Sequence, residues 1–158
     1  MNIETKMIDY YIEHQTLVRV FTLNGYPETG RIHFHNDKVI VLRHDDDDSV
    51  FLMYKHAIST IESFDRAKAG TEEKLEYPLG SSSTYVTESI EDYWLNKFIV
   101  DQSRVTLITM KGYQEHCNIL QHDDTAVIYS RYPGDNPNMV YKSAVSTILM
   151  KNQSVANV

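Results

Sequence analysis

The sequence predicts a mainly β protein: two small, five-stranded bent barrels in tandem, each opened by one helix. Three observations carry this. The chain repeats itself without a gap at an offset of 87 positions. Each copy starts with apolar residues at helical spacing, and each continues into short β-rich segments divided by turn pairs.

The repeat aligns LNGYPETGRIHFHND (23–37) with MKGYQEHCNILQHDD (110–124), and YKHAISTI (54–61) with YKSAVSTI (141–148). Register is kept even through the loop between these blocks, and Ile3-Glu4 fall on Ile90-Glu91. Two copies are too few for a solenoid, so they read as two closed modules. The expected divisions are a module at 1–64, a linker at 65–89 and a second module at 90–158.

The first helix places Met7, Ile8, Tyr11 and Ile12 on one stripe, and the second places Trp94, Leu95, Phe98 and Ile99 there. Ser89 is the expected cap of the second helix, with Asp92 three residues on; Thr5 or Asn2 serves the first. Leu17–Leu23 follows as a β-branched strand, and Asn24-Gly25 marks a tight hairpin. Further strands are expected at Thr29–His35, Val39–Arg43, Val50–Tyr54 and Ile58–Glu62. Asn36-Asp37, the polar loop His44–Ser49 and Lys55-His56-Ala57 divide them. Helix plus five strands describes a small barrel whose last strands present open edges, and pairing those edges with neighbours makes a ring. The segment 65–89 has linker composition, with Gly70, Pro78, Gly80 and the run Ser81–Thr84. A flexible chain of that length spans about 28 Å, enough to join adjacent barrels.

At 42% hydrophobic and 23% charged residues, the composition is that of a soluble globular protein. No apolar run approaches the roughly 18 residues of a membrane helix, and no secretory leader opens the chain, so the expected location is the cytoplasm. Cys117 is the single cysteine, which excludes an intrachain disulfide and a cysteine zinc cage and fits a small buried hydrophobe. A formal charge of −7 argues against non-specific duplex DNA binding, so a nucleic-acid site must be local.

The YKHAISTI segment, preceded by an Asn-Gly hairpin and an amphipathic helix, resembles bacterial Hfq, a branch of the Sm and LSm group of RNA-binding rings. The resemblance covers 3–62 closely and 90–149 more loosely, and it implies Sm-like barrels. Since that family builds six-membered rings from single modules, three of these chains would form a homotrimeric pseudo-hexamer. It further implies an RNA chaperone that binds uridine- or adenine-rich single-stranded RNA in post-transcriptional regulation.

On the pore face the resemblance assigns RNA contact to Tyr54, Lys55 and His56, and in the second copy to Tyr141, Lys142 and Ser143, where serine replaces the histidine. The family's base-stacking aromatic falls at Lys38 and Thr125, so Lys38 is expected to meet phosphate instead; Asp37 and Asp124 stand beside it. On the opposite face the matching positions are Phe21, Gly25 and Tyr26, then Ile108, Gly112 and Tyr113, with Asn138 as the adenine-reading amide and Phe51 in its place in the first copy. Each stacked base contributes about 1–3 kcal/mol. Glu28 and Glu115 lie near that face and oppose phosphate. The family's basic rim is missing: the positions read Ile12, Glu13 and Gln15, and Ile99, Val100 and Gln102.

Other chemistry is weaker. His33, His35 and His44 make a conceivable metal trio, but without further ligands the reading is ordinary histidines. Asp45–Asp48 lacks the glycine and terminal glutamate of a calcium loop. No nucleophile constellation stands out, so neither an enzyme nor a cofactor or metal is expected. The competing function is a structural or protein-interaction Sm-like ring in which RNA binding is weakened or lost.

Overall fold

In the computed structural model, which describes residues 2–63 and 89–151, the two copies fold alike. Except for Ser89, the expected linker lies outside the described residues. Helix α1 (Ile3–Glu13) is capped by Asn2, whose side chain accepts the Thr5 amide at 2.7 Å. Of the two expected caps it is therefore Asn2 that acts. Ser89 caps α2 (Ile90–Val100) in the same way, accepting the Asp92 amide at 2.9 Å.

Five strands follow each helix: β1 (Val18–Thr22), β2 (Pro27–His35), β3 (Val39–His44), β4 (Val50–Tyr54) and β5 (Ile58–Ser63), then β6 (Arg104–Thr109), β7 (Gln114–His122), β8 (Ala126–Ser130), β9 (Asn138–Tyr141) and β10 (Val145–Met150). A single 3-10 turn, Lys55–Ala57 or Lys142–Ala144, precedes the last strand of each copy. The hairpins after β1 and β6 turn on Gly25 and Gly112, at φ of 91° and 90°, a conformation that side chains disfavour. Matching bulges between Ile32 and Phe34, and between Ile119 and Gln121, bend the long second strand of each copy.

All ten strands form one antiparallel sheet, ordered β5-β1-β2-β3-β4-β10-β6-β7-β8-β9. The copies join where β4 pairs with β10, in the register Met53 with Thr147 and Leu52 with Ile148. Strand periodicity explains why β4 is buried on both faces. Phe51 and Met53 enter a core with Ile8, Tyr11, Ile12, Val18 and Val20. Val50, Leu52 and Tyr54 enter a second core with Trp94, Leu95, Phe98 and Ile148. Each such side chain contributes about 1.5–3 kcal/mol on burial, so the copies are tied by core packing.

The two ends of the sheet are unlike. One presents α1 and β5, the other β9. Residues matched by the repeat differ sharply in exposure: Ile90 is 0% and Trp94 3% exposed, whereas Ile3 is 85% and Met7 47%. Tyr54 is 3% exposed and its counterpart Tyr141 55%. What the internal junction buries, the free ends leave open. Between α1 and β5 lies a groove of about 280 Å³ lined by Met7, Ile8, Ile58 and Ile61, at the place where the second copy seats β4.

Candidate nucleic-acid interface

The 3-10 turns carry Lys55-His56 and Lys142-Ser143, and their position is fixed from the neighbouring strand turn. The Lys55 amide donates to the Lys38 carbonyl and the Lys142 amide to the Thr125 carbonyl, both at 2.8 Å. At the junction these turns meet in a cleft of about 330 Å³ that brings together Lys38, Tyr54, Lys55 and His56 from the first copy and Glu91, Lys142 and Ser143 from the second. Six of the seven expected pore-face residues thus converge. The seventh, Tyr141, lies at the free β9 end.

Glu91 forms the base of the cleft. Its carboxylate is buried, accepts the Tyr54 hydroxyl, lies 3.0 Å from Lys142 Nζ and is 3.9 Å from Lys38 Nζ. Burial and the Glu91 charge together push the Tyr54 phenol far above its ordinary range, so Tyr54 serves only as a neutral donor. Lys142 also donates to His122 Nδ1 at 3.3 Å, while His122 Nε2 donates to Asn96 at 3.0 Å. Burial first, and then the Lys142 charge, holds His122 below its usual pKa. Lys142 is only 7% exposed.

In the first copy Lys55 Nζ lies 2.8 Å from Glu4, the counterpart of Glu91. Both turn lysines are therefore already ion-paired. Of the expected pore cations Lys38 keeps the freest head, with its side chain 63% exposed. His56 stacks on Tyr54, with centroids 5.2 Å apart, and its Nε2 donates to the Val145 carbonyl at 2.8 Å across the junction. Ser143 is exposed. Glu4 and Glu91 were not singled out as site residues from the sequence, although the repeat aligns them.

On the opposite face a smaller cleft of about 90 Å³ spans the junction and is lined by Asn24, Tyr26, Glu28, Ile108 and Gln114. Asn24 Nδ2 donates across it to the Thr109 carbonyl at 3.4 Å. Of the expected residues, Tyr26 and Ile108 meet here. Phe21, Tyr113 and Asn138 do not line this cleft; Tyr113 is exposed, and Phe21 and Asn138 are half-buried near the two free ends. Gly25 and Gly112 serve the hairpins. Burial raises the Glu28 pKa.

The conceivable histidine trio does not assemble. His35 is buried inside and its Nε2 donates to Asp9 at 2.9 Å, because the β2 bulge turns it away from the surface. The ligand atoms that do gather belong to half-buried His44 and exposed Asp45 and Asp46, where His44 Nδ1 accepts the Asp46 amide at 3.2 Å. Cys117 is buried as expected, and burial pushes its thiol up to about 11.

The sequence model of the Hfq protein family matches this chain twice, over residues 5–68 and 90–155. The chain belongs to the Hfq family. It is a tandem-duplicated, Sm-like RNA-binding protein of a non-enzymatic, oligomer-forming family, and the paired hits coincide with the two folded copies. No curated protein and no solved structure matches the sequence. Among the described residues no helix is long and apolar enough to cross a membrane.

Proposed function

We propose that this Hfq-family chain is a cytoplasmic protein that binds uridine- or adenine-rich single-stranded RNA in post-transcriptional regulation, and that three chains close a six-module ring. The observation that carries the reading is the junction cleft, where Lys38, His56 and Ser143 meet beside Tyr54 on one face. Tyr26 and Ile108, with the amides of Asn24 and Gln114, support a second strand-binding face across the same junction.

The unlike ends of the sheet support ring closure. The β9 edge is the counterpart of β4, and the α1–β5 face is the counterpart of the surface on which β4 sits. A head-to-tail contact of this kind repeats from chain to chain, and it closes into a ring when the rotation between neighbours divides the circle. Closure would set Tyr141 of one chain beside Glu4 of the next, rebuilding the Tyr54–Glu91 contact, and would complete three further pore clefts. These lack Lys38, which Thr125 replaces, so intrachain and interchain clefts alternate around the pore.

One observation favours a second reading, a ring with weakened or lost RNA binding: both turn lysines already face a carboxylate, Lys55–Glu4 at 2.8 Å and Lys142–Glu91 at 3.0 Å. Filter binding of uridine-rich and adenine-rich oligomers at low salt decides between the two. The first reading expects retention that drops at least tenfold in Lys38→Ala/Lys55→Ala. No retention of either oligomer leaves the second.

A further inference from the structure

The repeat also exposes a place where the copies do not match. At the outer rim of the second module, a cleft of about 440 Å³ lies between the end of α2 and strands β7 and β8, lined among others by Ile99, Gln102, Asn118, Leu120, Ser130 and Asp135. At the matching places the first module has Ile12, Gln15, Arg31, His33, Arg43 and Asp48. Two arginines there have become the short residues Asn118 and Ser130.

The first module shows what those arginines do. Arg31 is buried, and its Nε donates at 3.1 Å to the carbonyl of Gln15, which ends α1 in a left-handed conformation. Arg43 Nε lies 3.3 Å from Asp48. In the second module Asn118 Nδ2 takes over the helix-end carbonyl, reaching Gln102 O at 3.1 Å, and frees the volume beyond it. Asp135, the counterpart of Asp48, makes no ion pair among the described residues. Of the nearby cations, Arg131 feels the Asp135 charge, but its hydrogen bonds, like those of Arg104, go elsewhere. Arg131 grips Glu115 at 2.9 and 3.1 Å, and Arg104 lies over Tyr132 and donates to Asn118 Oδ1 at 3.0 Å.

We infer that this rim cleft is a docking site for an arginine side chain presented by a partner protein. An arginine needs an apolar wall for its methylene stem and acceptors for its fork of N–H groups. Ile99 and Leu120 offer the wall, and Asp135, the Ser130 hydroxyl and the Gln102 amide oxygen offer the acceptors. The sister module holds guanidinium groups in the same setting, there supplied by its own chain. A carboxylate beside an apolar wall disfavours an RNA phosphate, and the chain's net charge of −7 favours a cationic partner. The site lies away from the pore and stands whether or not the pore binds RNA.

The test uses the full chain with N-acetyl-arginine amide, its lysine analogue and its uncharged citrulline analogue, followed by backbone amide shifts. Saturable shifts confined to Gln102, Asn118, Leu120 and Ser130 are expected with arginine, at least threefold weaker binding with lysine, and none with citrulline. Asp135→Asn should weaken arginine binding at least threefold while oligonucleotide retention stays unchanged. Asn118→Arg/Ser130→Arg, which copies the sister module, should abolish it. Equal shifts with citrulline, no shifts with arginine, or unchanged binding in the double variant would overturn the inference, as would a uridine-rich oligomer crosslinking to this cleft where arginine does not bind. Should the double variant fail to fold, the Asp135→Asn measurement decides.

Discussion

Glu91 shows what a single buried carboxylate does in this fold. It takes the Tyr54 hydroxyl and the Lys142 ammonium from two sides, so removing either partner of the ion pair strands a charge. Glu91→Ala is expected to lower unfolding stability by about 3–5 kcal/mol. Tyr54→Phe, which removes one hydrogen bond and keeps the pair, should cost about 1–2 kcal/mol, both read by denaturant titration. Acid acts on two other residues. Burial is the main cause that depresses the pKa of both His35 and His122, so folding favours the neutral rings. Their contribution is present above the ordinary histidine pKa of about 6.5 and is lost as pH falls through and below it, because the unfolded chain then binds more protons. Thermal midpoints should therefore fall between neutral and mildly acidic pH, with a shallower fall in His122→Gln. At this scale the Tyr-Lys-His turn was legible from a local motif. The clamp by Glu91 was not, since it joins residues 37 and 51 positions away that meet only after β4 and β10 pair.

The elements were legible to different degrees, for a physical reason. Strands announce themselves by period-2 apolar residues between turn pairs, and Val50–Tyr54 is found where it was expected. Helix ends were harder, because Gln15 and Gln102 take the left-handed conformation usually left to glycine, at φ of 49° and 52°. Tertiary bonds from Arg31 and Asn118 to those carbonyls hold the ends. The pairing of β4 with β10 carries no local signal; it comes from edges that any of several strands could have met. The exposed α1 face gives a direct test. Ile3→Glu/Met7→Glu alters side chains that touch little within one chain but whose counterparts are buried at the junction. The solution mass is expected to fall from three chains to one, while the monomer's circular dichroism is unchanged. A trimer that survives both substitutions would refute the proposed contact.

For the whole molecule, charge and assembly act together. Six turn lysines per three-chain ring would suggest a salt slope near −4 on log axes, at about −0.7 for each phosphate contact. Because those lysines are already paired with Glu4 and Glu91, the three Lys38 heads of the proposed ring would carry most of the available charge, and a slope of about −2 is expected instead. Oligonucleotide titration between low and physiological salt checks this. The duplication made the two-module architecture plain from the sequence, whereas the pairing of both turn lysines with carboxylates depends on contacts that form only in the folded chain. The dissimilar termini of the sheet have one more consequence. In the proposed three-chain ring, a variant whose β9 border is blocked would still offer its α1–β5 side, so it would accept one neighbour and stop further growth, as a terminator nucleotide stops a polymer. Co-expressed in equal amount with the normal protein, it would leave intact circles at on the order of one in eight, since a closed head-to-tail assembly of three tolerates no faulty link.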